Sequence, residues 1–168
     1  MTAALIDDLT GVQAATGTAW ELITDGVMGG RSSATLRREV VQGRPALRLQ
    51  GRVSLENNGG FVQMALDLAP GGRTVDASGF TGIAIDVTGN GETYALHLRT
   101  TGLTRPWQSW RHSFTAGPEW QTHLLPFARF QPHRVEGPVD PARLRRAGLV
   151  AIGRAFMADL SLGGARFY

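Results

Sequence analysis

Between Arg99 and Arg111 the sequence interleaves two residue types suited to recognition: Arg99, Arg105, Trp107, Trp110 and Arg111. A guanidinium is a permanent cation with a planar fork of donors, and an indole offers a large flat apolar face. Arg and Trp are the residues enriched where one protein grips another. They also stack on single-stranded bases. The plainer alternative places one Trp in the core and leaves the arginines solvated. Arg99, Arg105, Trp107 and Arg111 are therefore the first candidates for partner contact.

Two glycine-rich segments supply the others. Asp25-Gly26-Val27-Met28-Gly29-Gly30-Arg31-Ser32 can turn sharply at its glycine pair, where successive amides form an anion nest. Asp25 and Arg31 flank that turn and are placed to pair across it, so Asp25, Arg31 and Ser32 are candidate contacts; the alternative is a tight loop held by its own bridge. A nucleotide fingerprint, Gly-x-Gly-x-x-Gly between strand and helix, is missing. In Asn57-Asn58-Gly59-Gly60-Phe61, the side-chain amides of Asn57 and Asn58 suit a sugar hydroxyl or a peptide backbone. Asn and Gly are equally what a turn between two strands requires.

The absences narrow the chemistry. There are 0 Cys, and the 17 basic residues are all Arg. Thiol nucleophiles, thiolate metal sites, Schiff bases and a P-loop are excluded. His97, His112 and His123 fall on three successive strands, but their phases disagree and no acidic residue stands beside them. Serine never occurs as Gly-x-Ser-x-Gly, and the only adjacent carboxylates are Asp7-Asp8. The expectation is no catalytic constellation, no cofactor and no metal.

Charge is equally restrained. The net charge of +3 accompanies a pI near 10.5 because, without Lys or Cys, little titrates between His and Arg. Nucleic-acid binding does not follow from it. No apolar run of about 18 residues is present, so no transmembrane helix is expected. The opening residues Met1 to Asp8 lack a basic, then apolar, leader, and the expected location is cytoplasmic.

The elements that must position these residues read as strands. Leu47, Leu49, Val53 and Leu55 alternate with polar residues, and Val62, Met64, Leu66 and Leu68 alternate beyond the Asn57–Gly60 turn, predicting a hairpin. Ile83, Ile85 and Val87 lead into Asn90-Gly91, and Tyr94, Leu96 and Leu98 lead away, predicting a second hairpin on a type I′ turn. Further strands are predicted at 107–114, 120–125, 149–153 and 160–168, with weaker ones at 18–23 and 39–41. One helical turn is predicted from an Asp140 cap and Pro141, closing at Gly148. The 168 residues, taken as one domain over 1–168, are thus expected to form an all-β antiparallel sandwich or jelly roll.

A wider pattern joins these pieces. Trp20 precedes Asp25-Gly26-Val27-Met28-Gly29-Gly30-Arg31-Ser32; Gly51-x-Val53-Ser54-Leu55-Glu56-Asn57-Asn58-Gly59-Gly60-Phe61, Phe80-x-Gly82-Ile83, Gly89-x-Gly91-x-x-Tyr94 and Trp120-x-x-x-x-Leu125-Pro126-Phe127-x-x-Phe130 follow. From about Trp20 to Tyr168 the chain resembles the intermediate-associated protein family of respiratory complex I (NADH:ubiquinone oxidoreductase), in a compact bacterial-type form. The resemblance implies a galactose-binding-domain-like sandwich and a non-enzymatic assembly factor that holds a partly built membrane complex. It carries over no catalytic residue. What it transfers is the two glycine-rich loops, as contacts or as fold signatures only.

The expected function is therefore a non-catalytic module that engages a protein partner, a membrane-complex assembly intermediate, through end loops and the Arg/Trp strand. The alternative is a carbohydrate-binding module on the same sandwich, using Asn57, Asn58 and an exposed Trp. A sugar binder would ordinarily be secreted or fused to a hydrolase, and neither a signal peptide nor a second domain is expected here. Trp120, Phe127 and Phe130 are assigned to the core.

Overall fold

The computed structural model describes residues 2–168, apart from the side chain of Asn58. Among the described residues twelve strands follow in order: β1 Leu5–Asp7, β2 Glu21–Thr24, β3 Ser33–Val41, β4 Arg44–Val53, β5 Phe61–Asp67, β6 Gly82–Gly89, β7 Thr93–Thr100, β8 Ser109–Thr115, β9 Gln121–Pro126, β10 Gln131–His133, β11 Leu144–Ile152 and β12 Phe156–Phe167. Sheet A has the order β3-β4-β12-β6-β9, with β1 also pairing β12; sheet B has the order β10-β8-β7-β11-β5-β2. Every ladder is antiparallel. Helix among the described residues is confined to 3-10 turns of three or four residues. The all-β sandwich of jelly-roll type is thus as the alternation predicts.

The core lies between the two sheets. Leu47, Leu49 and Val53 of β4, Ile83, Ile85 and Val87 of β6, and Leu160 and Leu162 of β12 point inward from sheet A. Val62, Met64 and Leu66 of β5, Leu96 and Leu98 of β7, and Leu149 of β11 meet them from sheet B. Each such side chain stabilises by about 1.5–3 kcal/mol relative to exposure. Phe127 and Phe130 are buried with them, at 6% and 4% exposed.

Both predicted hairpins are corrected. β4 lies in sheet A and β5 in sheet B; β6 lies in sheet A and β7 in sheet B. The apolar alternation on either side of each turn belongs to strands that face each other across the core. Alternation reports which side of a strand is buried, and that side is the same whether the next strand lies beside it or opposite. At the second turn, Asn90 binds outward: the Tyr94 hydroxyl donates to its Oδ1 at 2.6 Å, and its Nδ2 donates to the Met157 carbonyl at 2.9 Å. The tight hairpin joins β3 to β4 instead, through Gln42 and Gly43 with φ of 47° and 76°.

Two further readings change. Asp140 does cap a turn, accepting from the Ala142 amide, but the turn ends at Arg143 and the chain runs on as β11. Gly148 is a mid-strand residue beneath Gln63, whose Oε1 lies 2.6 Å from where a Cβ would stand. Trp120 is half-buried rather than core. Its ring packs against the Arg44 guanidinium at 5.2 Å, and its Nε1 donates to the Val41 carbonyl.

Candidate functional site

The two glycine-rich loops meet at one side chain. Asp25 is fully buried at 0% exposed. Its Oδ1 accepts from the Ser32 amide at 3.0 Å, and its Oδ2 accepts from the Ser32 hydroxyl and from the amides of Gly60 at 2.6 Å and Phe61 at 3.2 Å. Burial pushes the Asp25 carboxyl up. The bonds from Ser32, Gly60 and Phe61 more than offset this and hold its pKa below the usual value. The glycines follow from the clasp: a Cβ on Gly59 would stand 2.6 Å from Asp25 Oδ2, and one on Gly30 would collide with the same carboxyl. Arg31 is exposed and makes no ion pair among the described residues, so the predicted Asp25–Arg31 bridge is replaced by backbone amides. Asn57 is exposed at φ 54°, the turn role of Asn. The Asn58 side chain lies outside the described residues.

The outward side of sheet B has a different character. Cross-strand register lines up Glu21, Ala65, Gly148, His97, Arg111 and Gln131 in one row, and Asp67, Arg146 and Arg99 in the next. All alternate with core residues, so all share the face turned from sheet A. Small residues, Ala65 and Gly148, floor a cleft of about 120 Å3. Phe61 and Ile152 close one end. Arg99, Arg111 and the loop Pro106-Trp107-Gln108 wall the other. Trp107 stands 54% exposed at this wall, with the Arg105 guanidinium 5.8 Å from its ring centre.

Arg99 shapes that wall. Its Nη1 donates to the carbonyls of Arg105, Pro106 and Gln108, while Gln108 Oε1 accepts from the amides of Thr104 and Arg105. Arg111 donates Nε to Ser109 Oγ at 3.0 Å. Among the described residues neither guanidinium has a carboxylate partner, whereas their neighbour Arg146 pairs with Asp67 at 2.7 Å and Glu21 at 3.5 Å. Burial lowers the pKa of Arg111; burial and the charges of Arg145 and Arg146 lower that of Arg99. His97 is pushed down to about 3 by burial and by the charges of Arg111 and His133, so it is neutral at physiological pH. Among the described residues its Nε2 is buried with no hydrogen-bond partner.

The candidates therefore separate. Arg99, Arg105, Trp107 and Arg111 come together on the sheet B face; Asp25 and Ser32 turn into a clasp at the corner between sheets. His97 and His123 lie on different sheets, and His112 faces Phe130 edge-on at 5.4 Å. Among the described residues no three His, Asp or Glu side chains gather as a metal site. Gln63, His97, Arg146 and Gly148 were missed as members of the face. Their signal was present as the phase opposite to Met64, Leu98 and Leu149, but strand order was needed to see them as neighbours. No helix among the described residues is long and apolar enough to cross a membrane.

Among solved structures, a family 11 carbohydrate-binding module from Clostridium thermocellum, in complex with a beta-1,3-1,4-mixed-linked tetrasaccharide, is similar with a TM-score of 0.73 at 13% identity, over 98% of this chain and 94% of that one. A family 30 carbohydrate-binding module of a Clostridium thermocellum cellulosomal cellulase gives a TM-score of 0.60 at 17% identity, over 81% and 82%. An exo-beta-agarase gives 0.61 at 11% identity over 99% of this chain but 25% of its own. At such identities the likeness is one of fold. No match is found among curated proteins. The sequence profile of one family spans residues 11–161, taking in the Asp25 clasp, the Asn57–Phe61 turn and the Arg99–Arg111 wall, and the chain belongs to that family, complex I intermediate-associated protein 30.

Proposed function

We propose that the protein is a non-catalytic binding module that acts in the cytoplasm, assisting assembly of an NADH:ubiquinone oxidoreductase-type complex by docking a protein partner on the outward face of sheet B. Family membership supports the assembly role. The observation that carries the location is the pair of half-buried guanidiniums, Arg99 and Arg111, left without carboxylates beside the exposed Trp107. An unpaired cation at a half-desolvated site costs free energy until a partner supplies the counter-charge. Affinity capture from the native host tests this reading. The wild-type chain is expected to bring down subunits of the complex, and the double variant Trp107→Ala, Arg111→Gln to lose them while staying folded. Retention of those subunits by the double variant would move the docking surface elsewhere.

A second reading is carbohydrate binding. It is favoured by the fold shared with a module solved with a mixed-linked tetrasaccharide and by a cleft with a Trp on its wall. Retardation of the protein in a gel containing mixed-linked glucan would support it.

A further inference from the structure

We infer that the cleft on sheet B receives an extended acidic segment of the protein partner, with a carboxylate seated between Arg111 and Arg99. The inference rests on the docking reading above and names the chemistry of what docks. Charge is the first argument. Arg99 and Arg111 line the walled end of the cleft, with Arg105 close to the Trp107 ring and Arg145 near enough for its charge to act on Arg99. Among the described residues the carboxylates of this face, Asp67 and Glu21, are already committed to Arg146. A half-buried guanidinium offers a fork of donors matched to a carboxylate, and Arg111 spends one donor on Ser109. Shape is the second. From Phe61 to Ala65 the cleft follows β5 for four residue steps, about 13 Å at strand rise. Its floor of Ala65 and Gly148 carries no large side chain of its own, and the Gln63 side chain lies over Gly148. His97, the cross-strand neighbour of Arg111, lines the same cleft, and among the described residues its Nε2 is buried without a partner.

A neutral sugar fits these features less well. It would leave both guanidiniums without counter-charge, and the exposed indole, Trp107, already has the Arg105 guanidinium near its ring. A chain of glutamates supplies what the face lacks.

The test is fluorescence polarisation of the intact protein with a labelled octaglutamate peptide, an octaglutamine peptide and the mixed-linked tetrasaccharide as competitor. Octaglutamate is expected to bind, more weakly as salt shortens the Debye length below about 10 Å, and octaglutamine is not. Arg111→Gln should weaken octaglutamate about tenfold or more, and Arg111→Lys should lose less. Arg166→Gln, on sheet A, should leave binding unchanged, and thermal melts establish that each variant is folded. Equal binding of the two peptides, no binding of either, or full binding by folded Arg111→Gln would overturn the inference. So would displacement of octaglutamate by the tetrasaccharide at equal affinity. Octaglutamate binding with no complex subunit captured from the host would sustain the acidic-segment chemistry while removing the assembly role, so the two failures are distinguishable.

Discussion

On the outward face of sheet A, Arg48 lies between Glu39 at 2.8 Å and Asp159 at 2.7 Å, and Arg44 and Arg166 share Asp86 at 2.8 and 3.1 Å. On the outward face of sheet B, Arg111 meets Ser109 and Arg99 meets backbone carbonyls. Both faces use Arg on alternating strand positions. On sheet A each of these three guanidiniums has a carboxylate partner, and those bonds are structural. On sheet B Arg99 and Arg111 have none among the described residues, and on the docking proposal that is what a ligand satisfies. Bonding partners, rather than residue type, tell a fold residue from a binding residue.

Asp25 is the extreme of the satisfied class, and breaking it should have the largest effect. Asp25→Ala removes the acceptor for three backbone amides and the Ser32 hydroxyl at a fully buried corner. The expected loss is about 3–5 kcal/mol, because buried donors are orphaned as well as bonds lost. Urea denaturation measures it. A loss under about 1 kcal/mol would mean that the clasp is replaceable and that these glycine-rich loops answer to something other than folding.

Acid titration should separate the two faces. On sheet B, His97 has a folded pKa of about 3 against 6.5 for the free group. Between those values the unfolded chain binds the proton and the folded chain does not. Stability is therefore full above about pH 6.5 and falls as pH drops toward 3, by about 1.4 kcal/mol per unit. On sheet A, burial raises the Asp86 pKa, but Thr122, Arg44 and Arg166 outweigh this and hold it below 3.8, so its contribution is full above that value and lost below it. His97→Gln should flatten the slope between pH 6.5 and 4 and leave the loss below 3.8 in place. A residual slope is expected from His123 and His133, which burial shifts in the same direction. An unchanged slope in His97→Gln would show that the face does not hold this histidine neutral.

Asp86→Asn tests sheet A alone. It leaves Arg44 and Arg166 without their shared counter-charge, at an expected cost of about 1–3 kcal/mol; both guanidiniums keep some access to water, which reduces the penalty. The loss should be the same with or without octaglutamate. A variant weakened in peptide binding as much as in stability would mean that the two faces are coupled through the core.

The strands that carry this contrast were legible in the sequence; the pairing of charges that makes it was not. Alternation at Leu47, Leu49, Met64, Leu96 and Leu98 reports burial directly, so the strands and the sandwich followed from it. The pairing of strands did not, because β4 and β5 would show the same pattern as neighbours or as opposed layers. Ser33 to Val41 was only partly legible, since an edge strand with Arg37, Arg38 and exposed Val40 alternates weakly. The Arg/Trp segment stood out by composition. That Arg99 and Arg111 lack carboxylates could not be read, because the available acids, Asp67 and Glu21, are far away in sequence and are taken by Arg146. Asp25 read as a ligand candidate for the same reason: its partners Gly60 and Phe61 lie 35 and 36 residues on.

The smallest stability change should come from the residues with the largest expected binding effect. Trp107 is 54% exposed, and its ring has a single cation–π neighbour, Arg105, itself exposed. Arg111 gives up one bond to Ser109 and a half-buried charge that burial disfavours. Truncating either to Ala should change stability by about 0.5 kcal/mol or less, and Arg111→Ala can raise it, because removing an unpaired cation relieves a desolvation cost. For the docked partner the same truncations should each cost about 2 kcal/mol or more, the range of an interface anchor. Arg99→Ala should fall between them. It frees the carbonyls of Arg105, Pro106 and Gln108, so the Trp107 loop loosens, and it weakens docking by disordering the wall as well as by removing charge. Denaturation midpoints and partner affinity measured on the same three variants decide it. Should Trp107→Ala or Arg111→Ala destabilise as much as Asp86→Asn, the outward face of sheet B is structural like that of sheet A, and the distinction drawn from unpaired charge fails.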